Sequence, residues 1–146
     1  MKAVRNARLV RGLEFDAVEI QQALVGQNVY LLYPGPDAHD CETVELDDST
    51  TVIVVDGTWD EAQKIVYRNP VLREFPKVSF SDTPRSNYRI RRQPKDHCLS
   101  TLESMVYFLK RNADANGLSD KSMQYDGLLR AFDSMVEQQL EFWPTR

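Results

Sequence analysis

A carboxylate, a glycine, a hydroxyl and an indole follow one another directly after an apolar run of this sequence. The tetrapeptide Asp56-Gly57-Thr58-Trp59 comes after residues 51–55, which are mostly β-branched and therefore typical of a buried strand. Open α/β sheets bind ligands at the carboxyl ends of such strands. A carboxylate there can act as a general base or accept a hydrogen bond from a ligand. The alternative is that Thr58 only caps a helix and Trp59 belongs to the core.

A cationic segment is the second candidate for chemistry. Residues 85–95 carry five basic side chains and no acidic one: Arg85, Arg89, Arg91, Arg92 and Lys95. Guanidinium groups pair well with phosphate or carboxylate, so this segment favours an anionic ligand. If residues 88–92 form a strand, their side chains alternate between two faces, and one face packs while the other meets the anion. The alternative is a solvated edge strand protected by its charges.

Composition and charge limit the function classes. The 146 residues, of which 42% are hydrophobic, predict one domain over residues 1–146 with its own core. The net charge of −4 argues against indiscriminate nucleic-acid binding, although one basic face can still meet phosphates. No run is long enough to span a bilayer. The widely spaced Cys41 and Cys98 predict reduced thiols in a cytoplasm, and His39 and His97 are expected at surface loops.

Local patterns predict an alternation of strands and helices. Strands are expected at residues 28–33, 51–55, 77–80 and 88–92, and helices at residues 15–24, 58–69, 100–116 and 124–140. Thr58 with Glu61, and Ser100 with Glu103, have the spacing of a capping box. Alternating strands and helices predict an α/β fold with a mostly parallel sheet flanked by helices. Its binding loops should then lie at residues 33–36, 56–59 and 84–100.

Three motifs in this order resemble those of the DTW-domain family. They are Asp56-Gly57-Thr58-Trp59, then Ser86-x-Tyr88-x-Ile90-Arg91-x-x-Pro94, then Leu99-Ser100-Thr101-x-Glu103, and the resemblance covers roughly residues 4–140. It implies a SPOUT-like fold with a C-terminal trefoil knot. The family's members are tRNA-uridine aminocarboxypropyltransferases. The resemblance therefore implies transfer of the 3-amino-3-carboxypropyl group of S-adenosylmethionine to N3 of a uridine in tRNA.

The resemblance also implies roles for individual residues. Asp56 would be the base that takes the uridine proton, or would instead hold the amino group of the cofactor. The residues expected to bind the cofactor are Tyr33, Pro34, Gly35, Asp56, Gly57, Thr58, Trp59, Ser86, Tyr88, Arg91, Leu99, Ser100 and Thr101. The residues expected to meet tRNA phosphates are Arg5, Arg8, Arg85, Arg89, Arg92 and Lys95.

The sequence departs from the family pattern at its start. Many members begin with a cysteine-rich, zinc-binding segment, whereas this sequence resembles the family from residues 6–9 onward, so we expect no metal. Two other functions stay open at this point. One is a SPOUT-like RNA methyltransferase that uses the same cofactor, and the other is a non-catalytic RNA-binding DTW module. The sequence leaves the oligomeric state undetermined and predicts no membrane partner.

Overall fold

Strands and helices alternate along the chain, as the apolar patterns predict. The computed structural model describes residues 7–90 and 98–142. Its elements in chain order are α1 (Ala17–Ala23), β1 (Asn28–Leu32), β2 (His39–Asp40), a 3₁₀ turn (Cys41–Thr43), β3 (Thr50–Val54), α2 (Trp59–Arg68), α3 (Pro70–Glu74), β4 (Lys77–Ser79), α4 (Thr101–Ala115) and α5 (Ser119–Phe142). None of the helices in the described ranges has the length and apolar composition that a bilayer crossing requires.

The four described strands form one sheet in which every pairing is parallel. Their order is β2-β4-β1-β3. β1 and β3 pair along their whole length, from Asn28 opposite Thr50 to Leu32 opposite Val54. Because the strands run in the same direction, the chain leaves β1 and β3 at the same edge of the sheet. This edge brings the segments that follow Leu32 and Val54 close together.

Helices cover both faces of the sheet. In β3, Val52 packs with the apolar cluster that contains Phe108 of α4. The next residue, Ile53, packs with the cluster that contains Ile65 of α2 and Leu72 of α3. Successive side chains of a strand point to opposite faces, so the two clusters lie on opposite sides of the sheet. The predicted α/β fold, with a parallel sheet flanked by helices, is confirmed.

The prediction of a strand at residues 88–92 is wrong for the residues that the structure describes. Tyr88 is irregular, and Arg89 and Ile90 form a turn. The backbone N–H of Tyr88 donates to Ser86 Oγ at 3.0 Å, and the N–H of the preceding residue donates to a side chain of α4. Side-chain acceptors therefore satisfy these donors in place of a neighbouring strand. Residues 91 and 92 lie outside the described ranges.

The structure differs from the predicted helices and strands mainly at Pro70, in the very short β2, and at the ends of α5. α2 ends before Asn69-Pro70, as predicted, but Pro70 then begins α3, because proline suits the first position of a helix. The two-residue β2 is too short to give a local pattern. α5 covers residues 119–142 and is longer at both ends than the predicted helix at residues 124–140.

Candidate functional site

The carboxyl edge of the sheet holds two stacked aromatic rings. Tyr33 follows β1 directly, and Trp59 begins α2 shortly after β3. Their ring centroids are 5.7 Å apart and their planes differ by 6°, which is the geometry of an offset stack. Trp59 keeps 40% of its surface exposed, so it is not the core residue that the alternative interpretation offered. Burial raises the pKa of the Tyr33 phenol above its ordinary value.

The turn between β3 and α2 is fixed by a capping box. Thr58 Oγ1 accepts from the backbone N–H of Glu61 at 3.3 Å, and the Glu61 carboxylate accepts from the Thr58 N–H at 2.7 Å. Gly57 has a φ of +151°, and a Cβ atom there would lie 3.1 Å from Cβ of Glu61. A side chain at position 57 would therefore displace the cap. The capping role predicted for Thr58 is confirmed.

Asp56 lies between the strand and this cap. The residue is exposed and directly precedes Gly57. No residue in the described ranges gives its carboxylate a hydrogen bond or an ion pair. The arrangement therefore presents a carboxylate to solvent at the sheet edge, in the turn that leads from β3 to Trp59. Such a group can accept a proton or a hydrogen bond from a bound molecule.

A second group of residues gathers around Glu103 in the first turn of α4. Glu103 is only 2% exposed. Its Oε2 accepts from Ser86 Oγ at 2.7 Å and from the Ser100 N–H at 2.8 Å, and its Oε1 accepts from the Asn87 N–H at 2.7 Å. Ser100 Oγ accepts from the Glu103 N–H in return, which confirms the predicted capping box. Residues of the second and third motifs thus meet at one carboxylate.

Helix α5 also contacts the segment that Glu103 holds. The ring of Tyr88 lies 5.7 Å from that of Phe132, and Asn87 Nδ2 donates to Asp133 Oδ1 at 3.4 Å. Sequence reasoning missed Asn87 and these two α5 residues as part of the group. The only local signal was the Ser100-x-x-Glu103 spacing, which does not show that residues 86–88 share the same acceptor.

The remaining site residues predicted from the sequence lie at several places. Pro34 and Gly35 are exposed after β1, Leu99 and Thr101 are partly buried at the start of α4, and Arg85 and Arg89 are exposed on either side of residues 86–88. Arg8 is exposed and approaches Glu19 at 3.9 Å, a surface pair of small energetic value. The predicted residues outside the described ranges are Arg5, Arg91, Arg92 and Lys95.

None of the cysteines and histidines in the described ranges takes part in these two groups. Cys41 is fully buried, and burial is the main cause that raises the pKa of its thiol to about 11, so it is a protonated core side chain. Cys98 is partly buried. His39 is exposed but lies in β2, not in the predicted loop, and His97 lies outside the described ranges. No cluster of three or more metal-ligating side chains occurs in the described residues.

Comparisons with known proteins identify the family. Residues 1–140 match the DTW domain. The chain is 42% identical over 114 residues to the tRNA-uridine aminocarboxypropyltransferase 2 of Macaca fascicularis, covering 76% of this chain and 36% of that protein. The protein of the same name from Mus musculus is 38% identical over 127 residues, covering 85% and 41%, and that from Drosophila melanogaster is 37% identical over 94 residues, covering 62% and 37%.

The chain spans less than half the length of these curated relatives. No solved structure matches it significantly. The domain match nevertheless covers almost the whole sequence and includes all three motifs around Asp56, Ser86 and Glu103. The chain belongs to the DTW-domain family.

Proposed function

We propose that this chain transfers the 3-amino-3-carboxypropyl group of S-adenosylmethionine to N3 of a uridine in tRNA. The observation that carries the proposal is that the exposed Asp56 and the Tyr33–Trp59 stack both lie at the carboxyl edge of a parallel sheet. The three relatives named above carry the name tRNA-uridine aminocarboxypropyltransferase 2. Their names indicate the class of reaction that we propose for this chain. The carboxyl edge of the sheet carries a carboxylate and aromatic rings that this reaction could use.

The residues at this edge fit a cationic nucleoside donor. A ring inserted between two parallel rings would need a separation of roughly 7 Å, twice the normal carbon contact distance. The Tyr33 and Trp59 rings are only 5.7 Å apart, so the donor would lie against the exposed surface of Trp59. An indole face attracts a cation such as a sulfonium. Gly57 lets the backbone approach the donor closely, and Arg91, outside the described residues, is the proposed partner of the donor's carboxylate.

The proposed reaction requires a base for the uridine proton and an alignment of uridine N3 with the carbon–sulfur bond of the donor. When bound, S-adenosylmethionine supplies an electrophilic carbon, so that forming the bond from uridine N3 to Cγ breaks the Cγ–S bond and releases methylthioadenosine. N3 of uridine carries a proton, and Asp56 is the group proposed to take it. The stack of Tyr33 on Trp59 would hold the reactants in line and exclude water from one side.

The proposal also covers the tRNA-binding residues, the fold type and the cellular location of this chain. We propose that Arg85 and Arg89, together with Arg5, Arg8, Arg92 and Lys95, meet the phosphates of tRNA. A SPOUT-like fold with a knotted C-terminal part is proposed from the family resemblance, and the parallel sheet with candidate binding residues at its carboxyl edge supports it. We also propose that residues 1–146 form one domain. We propose a cytoplasmic location as well, and the free thiols of Cys41 and Cys98 support it.

One assay tests the proposed reaction. The full chain is incubated with unmodified tRNA and S-adenosylmethionine, and both the nucleosides and the small-molecule product are identified by mass spectrometry. Aminocarboxypropyluridine with methylthioadenosine supports the proposal. Methyluridine with S-adenosylhomocysteine would instead identify an RNA methyltransferase. tRNA binding without either product would identify a binding module. The Asp56→Asn variant is the matched control, because it keeps the size of the side chain and removes the base.

A further inference from the structure

Glu103 makes more contacts than a capping box requires. In a capping box the glutamate accepts from the N–H of the N-cap residue, here Ser100. Glu103 also accepts from the Ser86 hydroxyl and the Asn87 N–H, which lie 17 and 16 positions earlier in the chain. In the Thr58–Glu61 box, by comparison, the carboxylate is exposed. Because a buried carboxylate is costly unless its oxygens are satisfied, burial of Glu103 depends on these additional donors.

The segment that Glu103 holds has no regular secondary structure of its own. Residues 83–88 are neither helix nor strand, and the backbone N–H groups of Asn87 and Tyr88 donate to side-chain oxygens. Ser86 Oγ donates to Glu103 and accepts from the Tyr88 N–H, and the Tyr88 ring packs near Phe132 of α5. Two exposed cations, Arg85 and Arg89, directly flank residues 86–88. Fixing the backbone between them therefore fixes the positions from which both guanidinium groups extend.

We propose that Glu103 is a positioning residue that holds Arg85 and Arg89 in place for the phosphate backbone of RNA. Glu103 itself is buried and does not touch the RNA. Its contribution is to hold the loop in the conformation from which both guanidinium groups reach phosphates, so loosening the loop loses phosphate contacts as well as ordering entropy. The inference rests on the proposed function in one respect, namely that RNA is the anion these arginines meet.

A thermodynamic cycle tests whether Glu103 acts through the two arginines. The affinity of the full chain for transcribed tRNA is measured for the wild type, Glu103→Gln, the double variant Arg85→Gln/Arg89→Gln, and the triple variant. Glutamine keeps the size of Glu103 but turns one acceptor oxygen into an NH₂ group that faces donors. We expect about a tenfold loss of affinity from Glu103→Gln in the wild-type background and less than about twofold in the background without the arginines.

Salt dependence supplies a second measurement that loss of stability alone would not change. The slope of log affinity against log salt reports how many phosphates are neutralised, and a loss of folded protein that is the same at every salt concentration leaves it unchanged. We expect a shallower slope for Glu103→Gln than for the wild type. Asp16→Ala is the matched control, because it removes the cap that accepts from Val18 and Glu19 in α1. This variant should lose stability but keep the wild-type slope.

Several outcomes would overturn the inference. An equal loss in both backgrounds would mean that Glu103 acts by stabilising the fold, and unchanged affinity or slope would remove its role in RNA binding. If Glu103→Gln does not fold, Ser86→Ala takes its place in the cycle, because it removes one donor and leaves the carboxylate. A wild type that binds tRNA but forms no product would refute the proposed reaction only, since the cycle measures binding without turnover.

Discussion

Tyr33 and Trp59 stack with their rings nearly parallel, although they follow different strands. The contact exists because Leu32 and Val54 are paired at the carboxyl ends of β1 and β3. The register of the sheet thus determines where the two rings meet. An aromatic pair of this kind contributes about 0.5–1.5 kcal/mol beyond the burial of its surface. In this stack Trp59 still keeps 40% of its surface exposed to solvent.

Replacing Trp59 should separate the effect of the ring from that of its size. Trp59→Leu removes the stack on Tyr33, and we expect a decrease of roughly 2–6 °C in the melting temperature and about a tenfold loss of affinity for S-adenosylmethionine. Trp59→Phe keeps an aromatic face and should retain most of the melting temperature and most of the affinity for S-adenosylmethionine. Calorimetry measures the two quantities. Equal losses in both variants would show that the aromatic face is not what matters.

Asp56→Asn should affect turnover more than binding. Removing a general base lowers kcat by about 10²- to 10⁴-fold, whereas the affinity for S-adenosylmethionine should stay close to that of the wild type. Asp60→Asn, which changes another exposed carboxylate in the first turn of α2, should keep normal turnover. Single-turnover kinetics and titration calorimetry provide the two values. If Asp56→Asn instead weakened donor binding and spared kcat, Asp56 would hold the donor's amino group.

The exposed Arg85 and Arg89 should set the salt dependence of tRNA binding. Each phosphate contact adds about 0.7–0.9 to the slope of log affinity against log salt, so Arg85→Gln/Arg89→Gln should reduce the slope by about 1.5. Arg73→Gln is the control, because Arg73 lies in α3 and precedes β4, near the opposite edge of the sheet. Filter binding at several salt concentrations gives the slopes. An equal reduction in the control would indicate a diffuse electrostatic effect.

Asn69 should be one of the most important side chains for stability. It is 2% exposed, accepts from the Phe15 N–H at 2.8 Å, and donates to the carbonyls of Leu13 and Ile65 at 2.9 and 2.7 Å. Asn69→Ala removes the side-chain partners of the Phe15 N–H and the Leu13 carbonyl, while the Ile65 carbonyl still accepts from the backbone N–H of residue 69 at 3.1 Å. We expect the free energy of unfolding to fall by about 2–4 kcal/mol. Denaturant unfolding measures this value. Asn28→Ala removes one exposed bond of 3.4 Å and should cost less than about 0.5 kcal/mol.

The two cysteines should differ in their reactivity toward alkylating reagents. Burial raises the pKa of the Cys41 thiol to about 11, so at pH 8 about one thiol in a thousand is ionised. Cys98 is partly buried and should be modified first. Mass spectrometry after brief treatment with iodoacetamide identifies the modified residue. Rapid modification of Cys41 in the folded protein would show that the cluster around it opens readily.

The sequence predicted the strand ends and the capping boxes, because both depend on residues that are close together in the chain. The strands that end near Leu32, Val54 and Ser79 follow from apolar runs between turn residues, and they are confirmed within one residue at their carboxyl ends. Both capping boxes depend on residues three positions apart, and both are present. The position of Trp59 at the carboxyl edge of the sheet was also predictable, because ligand-binding residues of parallel sheets follow the carboxyl ends of strands.

The predictions that were wrong or missing depend on distant contacts. The alternating side chains predict a strand at Tyr88, but the N–H groups of Asn87 and Tyr88 donate to Glu103 and Ser86. The burial of Glu103 could not be predicted, because the spacing of a capping box is the same whether the carboxylate faces water or the interior. Only the packing of α4 and α5 around residues 86–88 decides between the two.

The dependence of residues 86–88 on Glu103 also has a consequence for a chain that emerges from the ribosome. Asn87 is synthesised before its hydrogen-bond acceptor, the carboxylate of Glu103 in the first turn of α4. The earlier segment must therefore wait for the later one. The hydrogen bonds between residues 86–88 and the start of α4 can form only once both segments have left the ribosome.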